Sequence, residues 1–288
     1  MLQKVCLNSS LDLTIQKYHQ NTHILKQLDT LKPTEAMAKL VDFADLGYIK
    51  VPERTETYIP VSHQELYTKI KEAGTKHYNT SPFEEKLEVN HRGQQMFGSM
   101  IFHDGSNLRA DGSGLNRSIG FRNSYDKTLP IGVCGGASVF VCSNLMFTGD
   151  IIKMRKHTQN VEEDLDILIQ KLFDDVDRRY DKSVQDSLAM KEIGFSDKDV
   201  GDYLGQLFVN QHVLNGSQLN KATKEWFESP VFKERTLWSA YNACTEALKT
   251  AHPMNALEKY TKLHKFTDLY IEEARQMEYY NQDDDLPF

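Results

Sequence analysis

Seven cations and two aromatic residues in the middle of the chain could do chemistry together: Arg92, Arg117, Arg122, Lys127, Lys153, Arg155 and Lys156, with Phe121 and Tyr125. Guanidinium and ammonium groups neutralise phosphates, and aromatic rings stack on bases at about 1–3 kcal/mol per base. Around Phe121 the spacing is that of a strand, with a period of two. Arg117, Ile119, Phe121, Asn123 and Tyr125 then share one face, and Ser118, Gly120, Arg122 and Ser124 the other. The segment also stands out by charge. Residues 86–157 hold nine Lys/Arg and five Asp/Glu, a balance of +4, against −1 for residues 1–85 and −10 for residues 158–288. The whole chain carries −7, so it is not basic throughout, yet its middle suits an anionic polymer.

A second chemical feature stands at the last six residues, Asp283, Asp284, Asp285, Leu286, Pro287 and Phe288. Phe288 can fill an apolar pocket while its α-carboxylate meets a cation at the rim, and the aspartates speed encounter with a basic approach. This stretch resembles the C-terminal tip of bacterial single-stranded-DNA-binding proteins. The resemblance implies a docking peptide for repair, recombination and replication enzymes. It does not extend to the body, because that family opens with an all-β domain and a Gly/Gln-rich linker, neither of which is seen here.

The middle segment carries a second resemblance. Arg122 to Lys127, then Val139-Phe140-Val141-Cys142-Ser143-Asn144, then Arg155-Lys156-His157-Thr158 is similar to a family of uncharacterised phage and plasmid proteins, over about residues 85–180. That implies a phage or mobile-element origin and no defined activity. The order of three strands followed by helices is similar, at the level of fold only, to single-strand annealing proteins.

Other chemistry is harder to find. There is no phosphate-binding G-x-x-x-x-G-K-[ST], so no ATP use is implied, and Gly112-Ser113-Gly114 lacks the third glycine of a dinucleotide fingerprint. Cys134 and Cys142 are too far apart for a zinc knuckle and read as small apolar residues. Four cysteines are too few and scattered for a disulfide framework. No nucleophile motif is present, no cofactor is implied and an enzyme is not expected. A magnesium-dependent nuclease built on His91, His103, Asp104 and Asp111 is the enzymatic rival.

The elements that must position these residues read as follows. Thr34–Val41 suggests a short helix after Pro33, and Tyr48–Tyr58 an extended stretch. Ser62 with Glu65 reads as a capping box opening a helix to about Tyr78. Strands fit the stretch from Glu85, Met96–Phe102, Arg117–Tyr125 and Gly136–Ser143, with a turn-rich loop between Phe102 and Ser118. From Asn160 onward the apolar period is helical, with Ser196 as another cap and further helices at about 217–228, 231–250 and 254–279.

The class is therefore α+β: a mid-chain antiparallel sheet flanked by an N-terminal helical segment and a C-terminal set of helices. Residues 1–180 form the α+β core, 181–277 a helical region and 278–288 the acidic docking tail. No apolar run is long enough to span a membrane, and the first residues do not read as a secretory signal, which predicts a cytoplasmic protein. The expected activity is ATP-independent binding or annealing of single-stranded DNA by a phage-type protein, a homo-oligomer being compatible with it. The tip would recruit host enzymes. The alternative is a phage inhibitor or adaptor that uses the tip as a decoy and has no DNA affinity of its own.

Overall fold

The computed structural model describes residues 39–103, 114–139, 144–148, 150–153 and 160–284. Its centre is an antiparallel meander. Strands β1 (Lys39–Leu40), β2 (Glu84–Val89), β3 (Gln95–Phe102), β4 (Leu115–Ser124), β5 (Gly132–Val139) and β6 (Leu145–Phe147) pair in sequential order. A seventh, β7 (Ile152–Lys153), pairs with the start of β5. Eight α-helices lie among the described residues: α1 (Phe43–Leu46), α2 (His63–Tyr78), α3 (Val161–Phe173), α4 (Val176–Glu192), α5 (Asp197–Val209), α6 (Gly216–Glu228), α7 (Leu237–Leu248) and α8 (Pro253–Asp284). The fold is α+β, as the order of patterns predicts.

Local signals set many boundaries. Ser62 caps α2 by accepting the Glu65 backbone N–H at 2.9 Å, and the helix stops where Asn79 turns left-handed. Ser196 and Asp199 form a reciprocal capping box at α5. Three expectations need correction. Lys39–Leu40 is a strand on the edge of β2, where a helix over Thr34–Val41 was expected. β5 begins at Gly132, four residues before the strand expected at Gly136–Ser143. In addition, the expected helix over 231–250 starts only at Leu237, after a turn.

Helices cover most of the sheet on both faces, the exception being the first half of β2, where Glu84 and Lys86 stay partly exposed. One face packs on α2 and α3 through Leu87, Met100, Ile119, Phe121 and Val133 with Leu66, Ile70, Leu165 and Leu172. The other packs on the C-terminal helices through Phe97, Cys134, Met146 and Phe147 with Tyr180, Leu257 and Leu263. Close packing demands glycine at two points. A Cβ on Gly98 would lie 2.3 Å from the Phe121 ring, and one on Gly120 would lie 2.5 Å from the Phe147 ring. Sheet and C-terminal helices share one hydrophobic cluster, and residues 180 and 181 lie inside α4. No helix among the described residues is long and apolar enough to cross a membrane.

Candidate nucleic-acid interface

Antiparallel register sorts the mid-chain cations by sheet end. Gln95 opposes Ser124 and Gly132 opposes Lys153, so the β2–β3 turn, the β4–β5 turn and β7 collect at one end. Arg92 lies on the first turn, Lys127 on the second, and the backbone of Lys153 is in β7. Arg117 opposes Phe102 and sits toward the other end.

Arg92 and Lys127 are both exposed, and both have left-handed backbones, with φ of 59° and 61°. That conformation costs a non-glycine residue about 1–2 kcal/mol and survives only where its surroundings impose it. Here the surroundings are specific. Asn90 accepts the Gly93 and Gln95 backbone N–H groups, at 2.9 Å on its carbonyl and 2.7 Å on its side-chain oxygen. His63 Nε2 donates to the Gly93 carbonyl at 2.8 Å, while the Ile49 side chain packs against Gly93 itself. The neighbouring turn is organised by Asp126, which accepts from Ser124 Oγ at 2.5 Å and from Thr128 through both its hydroxyl and its backbone N–H. Gln95 joins the turns: its amide nitrogen donates to Asp126 at 2.8 Å, and its side chain also bonds Asn90. Partial burial works against ionisation of Asp126, but these donors outweigh it and hold its pKa below the ordinary range. The Lys127 ammonium rests 4.3 Å from the Tyr58 ring centre.

β7 is held at the same end by Arg179. Its Nη1 donates to the carbonyls of Thr148 and Asp150 at 2.8 Å each, while its Nε bonds Asp175 at 2.6 Å. Cys134 lies 3.4 Å from the same Nη1. Burial pushes this thiol up to about 12 despite the guanidinium, so it is no nucleophile at neutral pH.

Three expected contact residues are not at the surface. Phe121 is fully buried, its ring over Gly98 and its edge toward Tyr67. Arg122 is 1 % exposed, and its guanidinium bonds Glu258 of α8. Tyr125 stacks on His63 with ring centres 3.8 Å apart, its hydroxyl accepts the His63 backbone N–H at 2.7 Å, and burial pushes its pKa up to about 12. The expected alternation of Phe121 and Arg122 across the strand is present, but helices cover both faces, so neither side chain can meet a base. Arg117 is mostly buried, lies 4.5 Å from the Tyr180 ring centre and pairs with Asp177.

The side chain of Lys153 and all of Arg155 and Lys156 lie outside the described residues, as do Asp104, Asp111 and the Asp285–Phe288 part of the tip. Asp283 and Asp284 close the backbone of α8, their side chains likewise undescribed. His103 is exposed and stacks on Phe83 at 4.0 Å.

Sequence reading missed one cluster. Asp186 of α4 meets His264 and Asp268 of α8, with Lys182 beside them. The spacing of four in Lys182/Asp186 and in His264/Asp268 was visible, but the separation of Asp186 from His264 hid the meeting.

No curated protein and no solved structure matches the chain. The meander from β2 onward, its helical covers up to the last turns of α8 and both cation-bearing turns fall within residues 51–278, the span matched by a family model described as a domain of unknown function (DUF932), and the chain belongs to that family.

Proposed function

We propose that this chain is a phage-type, ATP-independent protein that binds or anneals single-stranded DNA in replication or recombination. The tip at residues 283–288 recruits host repair and replication enzymes. One observation carries the reading: Arg92 and Lys127 stand on two strained, cross-linked turns beside the strand that carries Lys153. Rigid exposed cations on adjacent turns suit phosphates, and the mid-chain excess of positive charge in an acidic protein points the same way. With Phe121 and Tyr125 buried, contact is to the backbone of the strand rather than by base stacking. Little sequence preference and strong salt dependence follow.

The test is fluorescence anisotropy of a labelled single-stranded oligonucleotide at several salt concentrations. Each phosphate contact contributes about −0.7 to the slope of log affinity against log salt, so Arg92, Lys127, Lys153, Arg155 and Lys156 together predict about −3.5. Arg92→Ala with Lys127→Ala should bring the slope to about −2. Removal of residues 283–288 should leave binding intact and abolish capture of the docked enzymes. Absence of binding by folded protein would overturn the reading. It would favour the inhibitor or adaptor, which the burial of Phe121, Arg122 and Tyr125 already suits, since no base platform remains on that strand.

A further inference from the structure

A polar cluster interrupts the apolar packing between α4, α7 and α8. His264 and Asp186 are 1 % and 2 % exposed, and Asp268 follows His264 by one helical turn. His264 Nε2 lies 3.0 Å from Asp186 Oδ2 and 3.4 Å from Asp268 Oδ1, and one donor atom from each of the three residues falls within 4.8 Å of the others. Nε2 carries at most one proton, so a neutral imidazole satisfies only one of the two carboxylates. Two further polar atoms have no hydrogen-bond partner, His264 Nδ1 and the Tyr241 hydroxyl, although both are buried. The Tyr241 ring stands perpendicular to His264 with centres 5.9 Å apart.

We propose that Asp186, His264 and Asp268 bind a divalent transition-metal ion, Zn²⁺ being the best match, in exchange with the ammonium of Lys182. Zinc ligands at about 2.0–2.1 Å in a tetrahedron lie about 3.3 Å apart, which the two distances to Nε2 bracket. One imidazole with two carboxylates suits zinc, cobalt or manganese better than the all-oxygen preference of calcium and magnesium. Lys182 is the present counter-charge, 2.6 Å from Asp186 and 3.1 Å from Asp268. Its side chain is 45 % exposed, so its ammonium can leave for water without unpacking the core. Arg275 faces the same carboxylate more loosely, at 3.9 Å from Asp186 Oδ1. Bound metal would clip α4 to α8 and leave a fourth position for water.

The experiment uses the full chain, stripped with a chelator and titrated with Co²⁺. Visible absorption of tetrahedral Co²⁺ should appear at one equivalent and disappear on addition of Zn²⁺. Lys182→Met removes the competing cation and should tighten Co²⁺ binding at least tenfold. Asp268→Asn and His264→Gln should each abolish the bands. Asp268→Asn keeps the shape of a partly exposed side chain, so the test survives if His264→Gln fails to fold. No bands in either the wild type or Lys182→Met, both folded by circular dichroism, would overturn the proposal. Bands that persist in Asp268→Asn and His264→Gln would place the metal elsewhere and overturn it equally.

Discussion

His63 makes the turn that presents Arg92 sensitive to acid. Its Nε2–H donates to the Gly93 carbonyl, and its Nδ1 is buried without a hydrogen-bond partner. A second proton would have to sit on Nδ1, in an apolar site stacked on Tyr125. Burial therefore lowers the pKa from 6.5 to about 4, against the opposing pull of the Gly93 carbonyl. The unfolded chain takes up this proton near 6.5 and the folded chain only near 4. Between those values the unfolded state binds more protons, so stability is complete above 6.5 and falls as pH falls through the window. Linkage over these two values gives a loss of about 2 kcal/mol from pH 7 to pH 5 and about 3 kcal/mol by pH 4. His63→Gln keeps an amide donor for Gly93 and removes the titration. Urea unfolding at pH 7 and pH 5, followed by circular dichroism and by fluorescence of the buried Trp226 and Trp238, measures both proteins. At pH 5 the carboxylates are still largely ionised in both states, so the comparison isolates the imidazole. The wild type should lose about 2 kcal/mol more than His63→Gln. Parallel losses would show that His63 takes its proton within the folded protein and would refute the reasoning.

Other substitutions test the packing and the strained turns. Gly98→Ala drives a methyl into the Phe121 ring and should cost about 1–3 kcal/mol in urea unfolding, with Arg92 and Lys127 still exposed. Arg92→Gly relieves a left-handed arginine, so it should unfold within about 1 kcal/mol of the wild type, on the stable side, while weakening oligonucleotide binding. Glu258→Ala strands the buried guanidinium of Arg122 and should cost about 3–5 kcal/mol, whereas Arg122→Met with Glu258→Leu should recover most of that loss.

What was legible in the sequence followed from local rules. Ser62 set the start of α2, and the alternation around Leu87 and Val89 marked β2, because caps and strand periods act over a few residues. β5 was placed too late because Gly132, Gly135 and Gly136 look like loop residues. In the fold they are small because Val176 and the β6 backbone press against the strand, as at Gly135 and Gly136. Lys39–Leu40 joined a sheet through pairing with β2, a contact that no local pattern could announce. The opposite faces of Phe121 and Arg122 were legible too. That helices cover both was not, because the covers come from distant chain: α2 and α3 on the Phe121 side, and on the Arg122 side the helix that carries Glu258, more than a hundred residues downstream.

The same long-range covering decides what the cationic end can do. Where helices cover the sheet, as over β3 to β5, its strands offer a ligand little but their turns. β1 and β6 are the edge strands, and the β2–β3 and β4–β5 turns carry the exposed Arg92 and Lys127. Two turns that hold non-glycine residues left-handed, tied together through Gln95 and Asp126, present Arg92 and Lys127 at a fixed separation rather than on mobile stems of backbone. Such cations lose little backbone entropy on meeting a phosphate chain, so each should contribute more to affinity than a cation on an unconstrained loop. The left-handed backbone near φ +60° costs about 1–2 kcal/mol per residue, and at Arg92 it is imposed by the buried His63 and by Ile49 packed on Gly93; if Arg92 and Lys127 meet phosphates, that cost is already met in the free protein.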